Sequence, residues 1–160
     1  MVELVIVGII IECKRLVDSD LTTIDQLGKL FPRWRRTSLQ KKIKETLGGK
    51  DLRFVAMHEG KIIGHLKVSL GKGLHKHRVE FSSLIVDPSY RHSGVGTNLV
   101  EHALKNLPKG ISLVLLAVDT KNKTAFTLYK KLKFKKYGLL NKASIVNGKL
   151  IDNYLLKKDL

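Results

Sequence analysis

The segment that most constrains the fold is a glycine-containing turn between a predicted strand and a predicted helix. The turn reads Arg91-His92-Ser93-Gly94-Val95-Gly96. An apolar run over 84–86 precedes it, and apolar residues at helical spacing follow it as far as Leu107. A strand that turns through glycines into a helix places backbone N–H groups at the positive end of the helix dipole. The sequence therefore predicts a phosphate-binding site at 91–97.

The two glycines of this turn favour a phosphorylated ligand. Gly94 and Gly96 lack Cβ atoms, so a pyrophosphate can approach the backbone closely there. Their spacing matches neither the Walker pattern nor the dinucleotide-binding fingerprint. A phosphorylated cofactor is therefore predicted, and a plain tight turn stays open as the alternative.

The rest of the chain predicts an α+β fold. Apolar runs predict strands at 2–13, 52–58, 61–70, 79–86, 111–118, 134–140 and 149–157. Helical spacing predicts helices at 21–31, 38–47, 95–107 and 122–132, the first capped by Asp18-Ser19-Asp20. Glu59-Gly60 and Asn147-Gly148 predict hairpin turns. We expect one domain over 1–160, with helices on the faces of its sheet.

The charge of the chain leaves several partners open. The 30 basic and 14 acidic residues give a net charge of +16. An anionic cofactor or substrate, a nucleic acid or the ribosome, and a lysine-rich proteome each explain this excess. Lysine is scattered along the chain and aromatic residues make up only 6%, whereas nucleic-acid readers cluster arginines with aromatics. Nucleic acid is therefore a less favoured partner.

The sequence predicts no disulfide, no membrane partner and no metal site. The lone Cys13 excludes an intramolecular disulfide and favours a reducing cytoplasm, and we interpret it as a buried strand residue. The apolar opening is shorter than the ~20 residues of a membrane span and carries no signal-peptide pattern, so no membrane partner is expected. His75 and His77 have no zinc-like ligand cluster beside them, so no metal is expected.

Two separated motifs resemble those of the GNAT superfamily of acyl-CoA-dependent N-acyltransferases. The motif Arg/Gln-x-x-Gly-x-Gly/Ala is matched by Arg91, Gly94 and Gly96. The motif Asn-x-x-Ala-x-x-Leu-Tyr-x-x-x-Gly-Phe is matched by Asn122, Ala125, Leu128, Tyr129 and Phe134. The resemblance covers 52–160 by sequence and the first two helices by topology only. Lys133 departs from it, because the family has there a glycine that ends the helix in a left-handed conformation.

The resemblance implies a mixed, mostly antiparallel central sheet and acetyl-CoA as the cofactor. It implies that backbone N–H groups of the loop bind the pyrophosphate, with the cofactor-binding residues Arg91, His92, Ser93, Gly94, Val95, Gly96 and Thr97. It also implies that the pantetheine arm pairs along Leu84, Ile85 and Val86 as an added strand does, and that Asn122 contacts this arm. The strands at 79–86 and 111–118 are expected to diverge beyond their shared ladder.

The same resemblance implies two catalytic residues for acetyl transfer to a primary amine by direct attack. Glu80, eleven residues before Arg91, is the expected base, and burial in its apolar strand would tune it for proton transfer. An exposed carboxylate paired with lysine is the alternative. Tyr129 is the expected general acid for the leaving thiolate, and a core aromatic residue is the alternative.

The acceptor is not identified by the sequence. The segment Trp34-Arg35-Arg36 lies where family members shape the acceptor pocket, and a solvated loop is the alternative. A small-molecule amine or a protein N-terminus stays open, while the positive charge disfavours polycationic acceptors. A homodimer also stays open. The competing hypothesis is a basic RNA- or ribosome-binding module on the same scaffold, with little catalysis.

Overall fold

The computed structural model describes residues 2–6, 9–16, 24–32, 36–49 and 51–160. Its strands are β1 (Val2–Ile6), β2 (Ile9–Arg15), β3 (Asp51–His58), β4 (Lys61–Leu70), β5 (Arg78–Val86), β6 (Leu113–Asp119), β7 (Lys135–Val146) and β8 (Lys149–Asp159). Its helices are α1 (Ile24–Leu30), α2 (Arg36–Leu47), α3 (Val95–Lys105) and α4 (Lys123–Lys131). The chain forms two compact units: Met1–Leu70 with Ser83–Leu107, called unit 1, and Gly71–Ser82 with Pro108–Leu160, called unit 2.

Unit 1 packs α1 and α2 on an antiparallel sheet. β1 pairs with β2, β2 with β3 and β3 with β4. One core cluster of this unit joins both helices to the sheet, and it contains Leu16, Leu27, Leu30, Phe31, Leu39, Ile43, Val55 and Ile62. Each of these large side chains contributes about 1.5–3 kcal/mol by leaving water. The helices therefore owe their stability chiefly to this shared core.

Helix α3 packs closely on the sheet of unit 1 because β4 carries a glycine. A Cβ at Gly64 would lie 3.2 Å from Cγ1 of Val95, the first residue of α3. Leu99, Val100 and Ala103 on the same helix are all fully buried. The absent side chain thus lets the beginning of α3 approach the strand, which fixes the position of the preceding loop.

Unit 2 contains the parallel strand pair. β5 runs parallel to β6 from Arg78–Leu113 to Phe81–Leu116, β6 pairs antiparallel with β8, and β8 with β7. The predicted turn between β7 and β8 is confirmed, since Asn147 and Gly148 both have positive φ (50° and 74°) as a type I′ turn requires. The expected α+β fold with a mixed, mostly antiparallel sheet is therefore confirmed.

The prediction of one strand over 2–13 was wrong. β1 and β2 form an antiparallel pair in which Val2 faces Cys13 and Ile6 faces Ile9. A continuous apolar run gives no period from which a reversal of the chain could be read. Cys13 is buried, and burial raises the pKa of its thiol to about 11, as suits the expected structural role.

Two other expectations fall partly or wholly on residues outside the described ranges. The caps Asp18-Ser19-Asp20 lie outside them, as do Trp34 and Arg35, while Arg36 begins α2. A single domain over 1–160 stays a prediction. None of the helices in the described ranges is both long and apolar enough for a bilayer crossing.

Candidate active site

The loop before α3 is shaped by its own side chains. The carboxylate of Asp87 accepts the N–H of Ser89 at 2.9 Å, which begins a short 3₁₀ helix over Pro88–Tyr90. Arg91 Nε donates to the carbonyl of Val86 at 3.2 Å, and Ser93 Oγ donates to that of Tyr90 at 2.6 Å. Arg91 therefore holds the loop against the end of β5, and Ser93 fixes the shape of the loop itself.

Backbone conformation then directs the loop into α3. His92 and Gly94 both have positive φ, 62° and 88°, and Gly94 is the residue before the helix. The first helical bond runs from the N–H of Asn98 to the carbonyl of Gly94 at 3.0 Å. The N–H groups of Val95, Gly96 and Thr97 consequently have no partner within the helix. This arrangement of donors at a helix N-terminus suits an anion such as a pyrophosphate.

The residues of the loop differ in how far they are exposed to solvent. Val95 and Gly96 are buried, Ser93, Gly94 and Thr97 are half-buried, and Arg91 and His92 are exposed. Anchoring by Val95 keeps the first helical turn in place, while the preceding backbone lies nearer to solvent. The predicted cofactor-binding residues of 91–97 thus form one continuous structure within unit 1.

The end of β5 belongs to the same unit and leads directly into the loop. Ile85 packs against the core cluster of unit 1, so its side chain has a structural role. Leu84 and Val86 are half-buried and flank it in the strand. Because successive side chains of a strand point to opposite faces, those of Leu84 and Val86 lie on the other face from that of Ile85.

The burial expected of Glu80 was wrong. Its side chain is exposed, whereas its neighbours Val79 and Phe81 are buried at 1% and 2%. This part of β5 alternates as a strand with one covered face does. The polar residue therefore falls on the uncovered face, where solvent can reach the carboxylate.

Asn122 and Tyr129 occupy the beginning and the buried side of α4 in unit 2. Asn122 Oδ1 accepts the N–H of Ala125 at 3.0 Å, so it is an N-cap. Tyr129 is 5% exposed and packs edge-on against Phe134 with 5.4 Å between ring centroids. Burial raises the pKa of the Tyr129 phenol, so this group keeps its proton at any physiological pH. A protonated phenol can donate a hydrogen bond, and this degree of burial also suits a core aromatic residue.

Lys133 adopts the left-handed conformation of the glycine that the family motif has at this position. Its φ is 65°. The N–H of Lys133 donates to the carbonyl of Lys130, and that of Phe134 to the carbonyl of Tyr129, both at 3.0 Å. These two bonds define a Schellman motif. The helix therefore ends as the motif requires, with a lysine in the left-handed position.

Sequence reasoning missed a set of buried polar residues in unit 1. Thr46, Asp51, Arg53 and His65 are each 5% exposed or less, and Ser83 has a φ of 54° within β5. The available signal was Asp51 and Arg53 within an otherwise apolar strand. His75 and His77 are exposed, and no group of three or more metal-ligating side chains occurs within the described ranges.

Comparisons with known proteins identify the family of the chain. The model of the Acetyltransferase (GNAT) family matches residues 20–134, which is more than half of the chain. The chain therefore belongs to the Acetyltransferase (GNAT) family.

Two relatives are similar in sequence to part of the chain. It is 33% identical over 82 residues to the N-alpha-acetyltransferase MAK3 of Arabidopsis thaliana, covering 51% of this chain and 43% of the relative. It is 25% identical over 121 residues to the L-amino acid N-acetyltransferase AaaT of Escherichia coli, covering 74% of each. The chain thus spans less than half the length of the first relative.

A solved structure extends the likeness to the whole fold. The phosphinothricin acetyltransferase of Sinorhizobium meliloti, in complex with acetyl-CoA, superposes with a TM-score of 0.79 at 17% identity. The match covers 94% of this chain and 88% of that one. The fold of the chain is therefore that of a GNAT acetyltransferase, and acetyl-CoA is the cosubstrate with which that neighbour was solved.

Proposed function

We propose that the protein transfers the acetyl group of acetyl-CoA to an α-amino group. The single observation that carries the proposal is the left-handed Gly94 at the beginning of α3, followed by three N–H groups without helical partners. Acetyl-CoA supplies a thioester carbonyl as the acyl donor. Val95, Gly96 and Thr97 would hold its pyrophosphate through their backbones, and Leu84 and Val86 would pair with its pantetheine arm.

The α-amino acceptor is proposed from the relatives together with the chemistry of amines. The two curated relatives carry names that specify an N-alpha-acetyltransferase and an L-amino acid N-acetyltransferase. The α-amino group of a peptide has a pKa of about 7.7–8.0, against ~10.4 for a lysine side chain. A peptide α-amine is therefore partly uncharged at neutral pH, and its activation needs less help from a base. A peptide N-terminus is the acceptor that we favour, with a free amino acid as the second candidate.

Glu80 and Tyr129 are proposed for the two proton transfers. The amine nitrogen forms a bond to the acetyl carbon, and the carbon–sulfur bond breaks. Glu80 would accept the proton that the amine loses, directly or through water, since its carboxylate is exposed to solvent. Tyr129 would act as the general acid for the leaving thiolate, to which its phenolic O–H would donate as the carbon–sulfur bond breaks. Burial raises the pKa of this phenol, which makes it a weaker acid and favours stabilisation of the thiolate by a hydrogen bond over complete proton transfer. Asn122 would contact the pantetheine arm while it caps α4.

The basic binding module stays the second candidate only on account of the net charge of +16. The relatives and the solved neighbour carry acetyltransferase names, and none of the three names refers to RNA binding. Location in the cytoplasm likewise stays a prediction. We therefore regard the charge as secondary to the loop in assigning a function.

Cofactor binding tests the proposal first. Isothermal titration should show acetyl-CoA binding to the wild-type protein, and Gly94→Asp should abolish it because a carboxylate would enter the anion site. Gly110→Asp is the matched control, since Gly110 also has a φ near 87° and has open space around its Cβ position. Equal acetyl-CoA affinity of the Gly94 variant and wild type would contradict the proposed site.

The acceptor is tested with matched peptides. One peptide carries a free N-terminus and no lysine, and the other carries an acetylated N-terminus and one internal lysine. We expect release of CoA with the first peptide only, and a mass increase at its N-terminus. Acetylation of the lysine peptide alone would refute the α-amino assignment without affecting the cofactor site.

A further inference from the structure

The buried polar residues of unit 1 form a connected cluster that the proposed function does not use. Arg53 on β3 is 1% exposed, and His65 on β4 is fully buried. Charged and polar side chains are rarely buried this completely unless they are paired. The hydrogen-bond and ion-pair partners of Arg53 and His65 therefore show which parts of the backbone the cluster fixes.

Arg53 lies at the centre of the cluster. Its Nε donates to Thr46 Oγ1 at 2.7 Å and lies 3.8 Å from the carboxylate of Asp51. That carboxylate also contacts the hydroxyl of Thr46 and lies 3.0 Å from Lys67 Nζ. The guanidinium is thus held between α2 and β3, and its Nη1 extends toward β4.

The contact between Arg53 and His65 determines the tautomer of the histidine. Arg53 Nη1 lies 3.0 Å from His65 Nε2. A guanidinium can only donate hydrogen bonds, so Nε2 must accept and the ring proton must lie on Nδ1. His65 Nδ1 lies 3.0 Å from the carbonyl oxygen of Ser83 and therefore donates to it. Phe31 packs edge-on against the ring, with 5.0 Å between centroids at 86°.

The carbonyl that receives this bond belongs to a strained residue. Ser83 has a φ of 54° in the interior of β5, a conformation that residues with a Cβ seldom adopt. Such conformations persist where the surrounding structure holds them. Ser83 immediately precedes Leu84–Val86, the segment proposed to pair with the pantetheine arm.

We infer that His65, oriented by Arg53, is a positioning residue that holds Ser83 in its left-handed conformation and so sets the path of the segment 84–86. The inference rests on the proposed function, because this path matters for activity only if the segment binds acetyl-CoA. His65 touches no reacting atom. It acts through the backbone of β5, over a chain of contacts that lies wholly within unit 1.

Two substitutions of His65 separate the hydrogen bond from simple packing. His65→Leu removes the donor and keeps an apolar side chain of similar size, whereas His65→Asn keeps an N–H donor near the position of Nδ1. Isothermal titration should show acetyl-CoA binding weakened about tenfold in His65→Leu, since small displacements of a binding segment are costly. His65→Asn should bind within about threefold of wild type. Circular dichroism checks that both variants are folded.

A glycine at the strained position supplies the sharper test. Ser83→Gly removes the conformational penalty, so it should restore acetyl-CoA affinity in the His65→Leu background. Lys142→Gly is the matched control, because Lys142 has the same φ of 54° but lies in β7 of unit 2. Rescue by Ser83→Gly and not by Lys142→Gly supports the positioning role. Equal affinity of folded His65→Leu and wild type overturns it, as does the absence of rescue by Ser83→Gly.

The inference and the proposed function fail in different ways. Lack of acetyl-CoA binding by the wild-type protein refutes the proposed function. The His65–Ser83 contact is tested without any cofactor by ¹⁵N NMR of the imidazole in the wild-type chain, which needs no variant to fold. A proton on Nδ1 at neutral pH supports the contact, and a proton on Nε2 alone overturns the inference.

Discussion

The two units differ in where their charged residues lie. Unit 1 buries an arginine, an aspartate and a histidine in one connected cluster. Unit 2 holds 15 of the 30 basic residues but only 4 of the 14 acidic ones, and its lysines at 130, 131, 133, 135 and 136 are all exposed. The buried charge of unit 1 is therefore paired and position-specific, whereas the excess positive charge of unit 2 lies largely at the surface.

This difference shows where electrostatics is expected to determine stability. A buried charge that loses its partner keeps its full desolvation penalty, whereas an exposed lysine loses little when its neighbours change. Substitutions of the same kind should thus have large effects in the cluster of unit 1 and small ones on the surface of unit 2. The following predictions test this contrast in order of expected size.

The largest effect is expected from Arg53→Met. The change leaves the Asp51 carboxylate buried beside a single lysine and removes the donor to Thr46 and His65. We expect a loss of about 3–5 kcal/mol in the free energy of unfolding, measured by urea denaturation. Lys130→Met, on the exposed end of α4, is the control and should change the free energy by less than about 0.5 kcal/mol. Similar losses in both variants would abolish the contrast between the units.

The next effect is a dependence of stability on pH that arises from His65. The pKa of His65 is lowered from its ordinary 6.5 to about 3, chiefly by burial; the Ser83 carbonyl opposes the shift, and the charge of Arg53 adds to it. The unfolded chain therefore binds one more proton than the folded chain between these two pH values. The free energy of unfolding should fall by roughly 1 kcal/mol per pH unit as the pH drops below 6.5.

Urea denaturation at pH 7, 6 and 5 measures this slope, and His65→Asn is the control that removes the contribution of His65 to it. Burial also lowers the pKa of His102, so part of the slope should remain in the variant. Equal slopes in the two proteins would show that His65 is not held neutral by its surroundings.

Regular local patterns made much of this fold predictable from the sequence. Alternation and turn residues identified β3, β4 and their Glu59-Gly60 turn, and helical spacing identified α3 and α4 to within a few residues. The β1–β2 pair was not found, because Gly8 is the one turn-type residue of its apolar run and this lone glycine was not taken as a turn signal. Periodicity reveals which side chains are apolar, and it does not reveal where such a run folds back.

The conformation of a candidate site residue was predictable where its residue type restricts the backbone, and less so where its role depends on tertiary contacts. Gly94 was expected to adopt a backbone conformation closed to other residues before α3, and its φ is 88°. For Glu80 the expected burial was wrong and the exposed alternative was right, since a carboxylate among apolar residues fits either face of a strand. Ser83 and His65 were missed because their relation depends on a contact 18 positions apart in the chain. Tertiary contacts of this kind leave no local pattern.

A smaller effect is expected at the end of α4. Lys133 has a φ of 65°, and a residue with a Cβ pays about 1 kcal/mol or more there. Lys133→Gly should therefore raise the free energy of unfolding by about 1 kcal/mol. Lys131→Gly, two residues earlier in the last helical turn, is the control and should lower it by a similar amount. A loss in both variants would show that the lysine side chain itself stabilises the end of the helix.

The smallest effect is expected from the lysines of unit 2. Lys135 on β7 lies directly opposite Lys157 on β8, and like charges in this arrangement destabilise a sheet. Lys135→Glu should raise the free energy of unfolding by about 0.2–1 kcal/mol, with a gain that shrinks as salt is added. Lys136→Glu is the matched control, because Lys136 Nζ lies 4.2 Å from the ring centroid of Tyr154. Its replacement loses a cation–π contact and should lower stability instead. A gain of equal size from both substitutions would mean that only the net charge of unit 2 matters, and that the positions of its lysines do not.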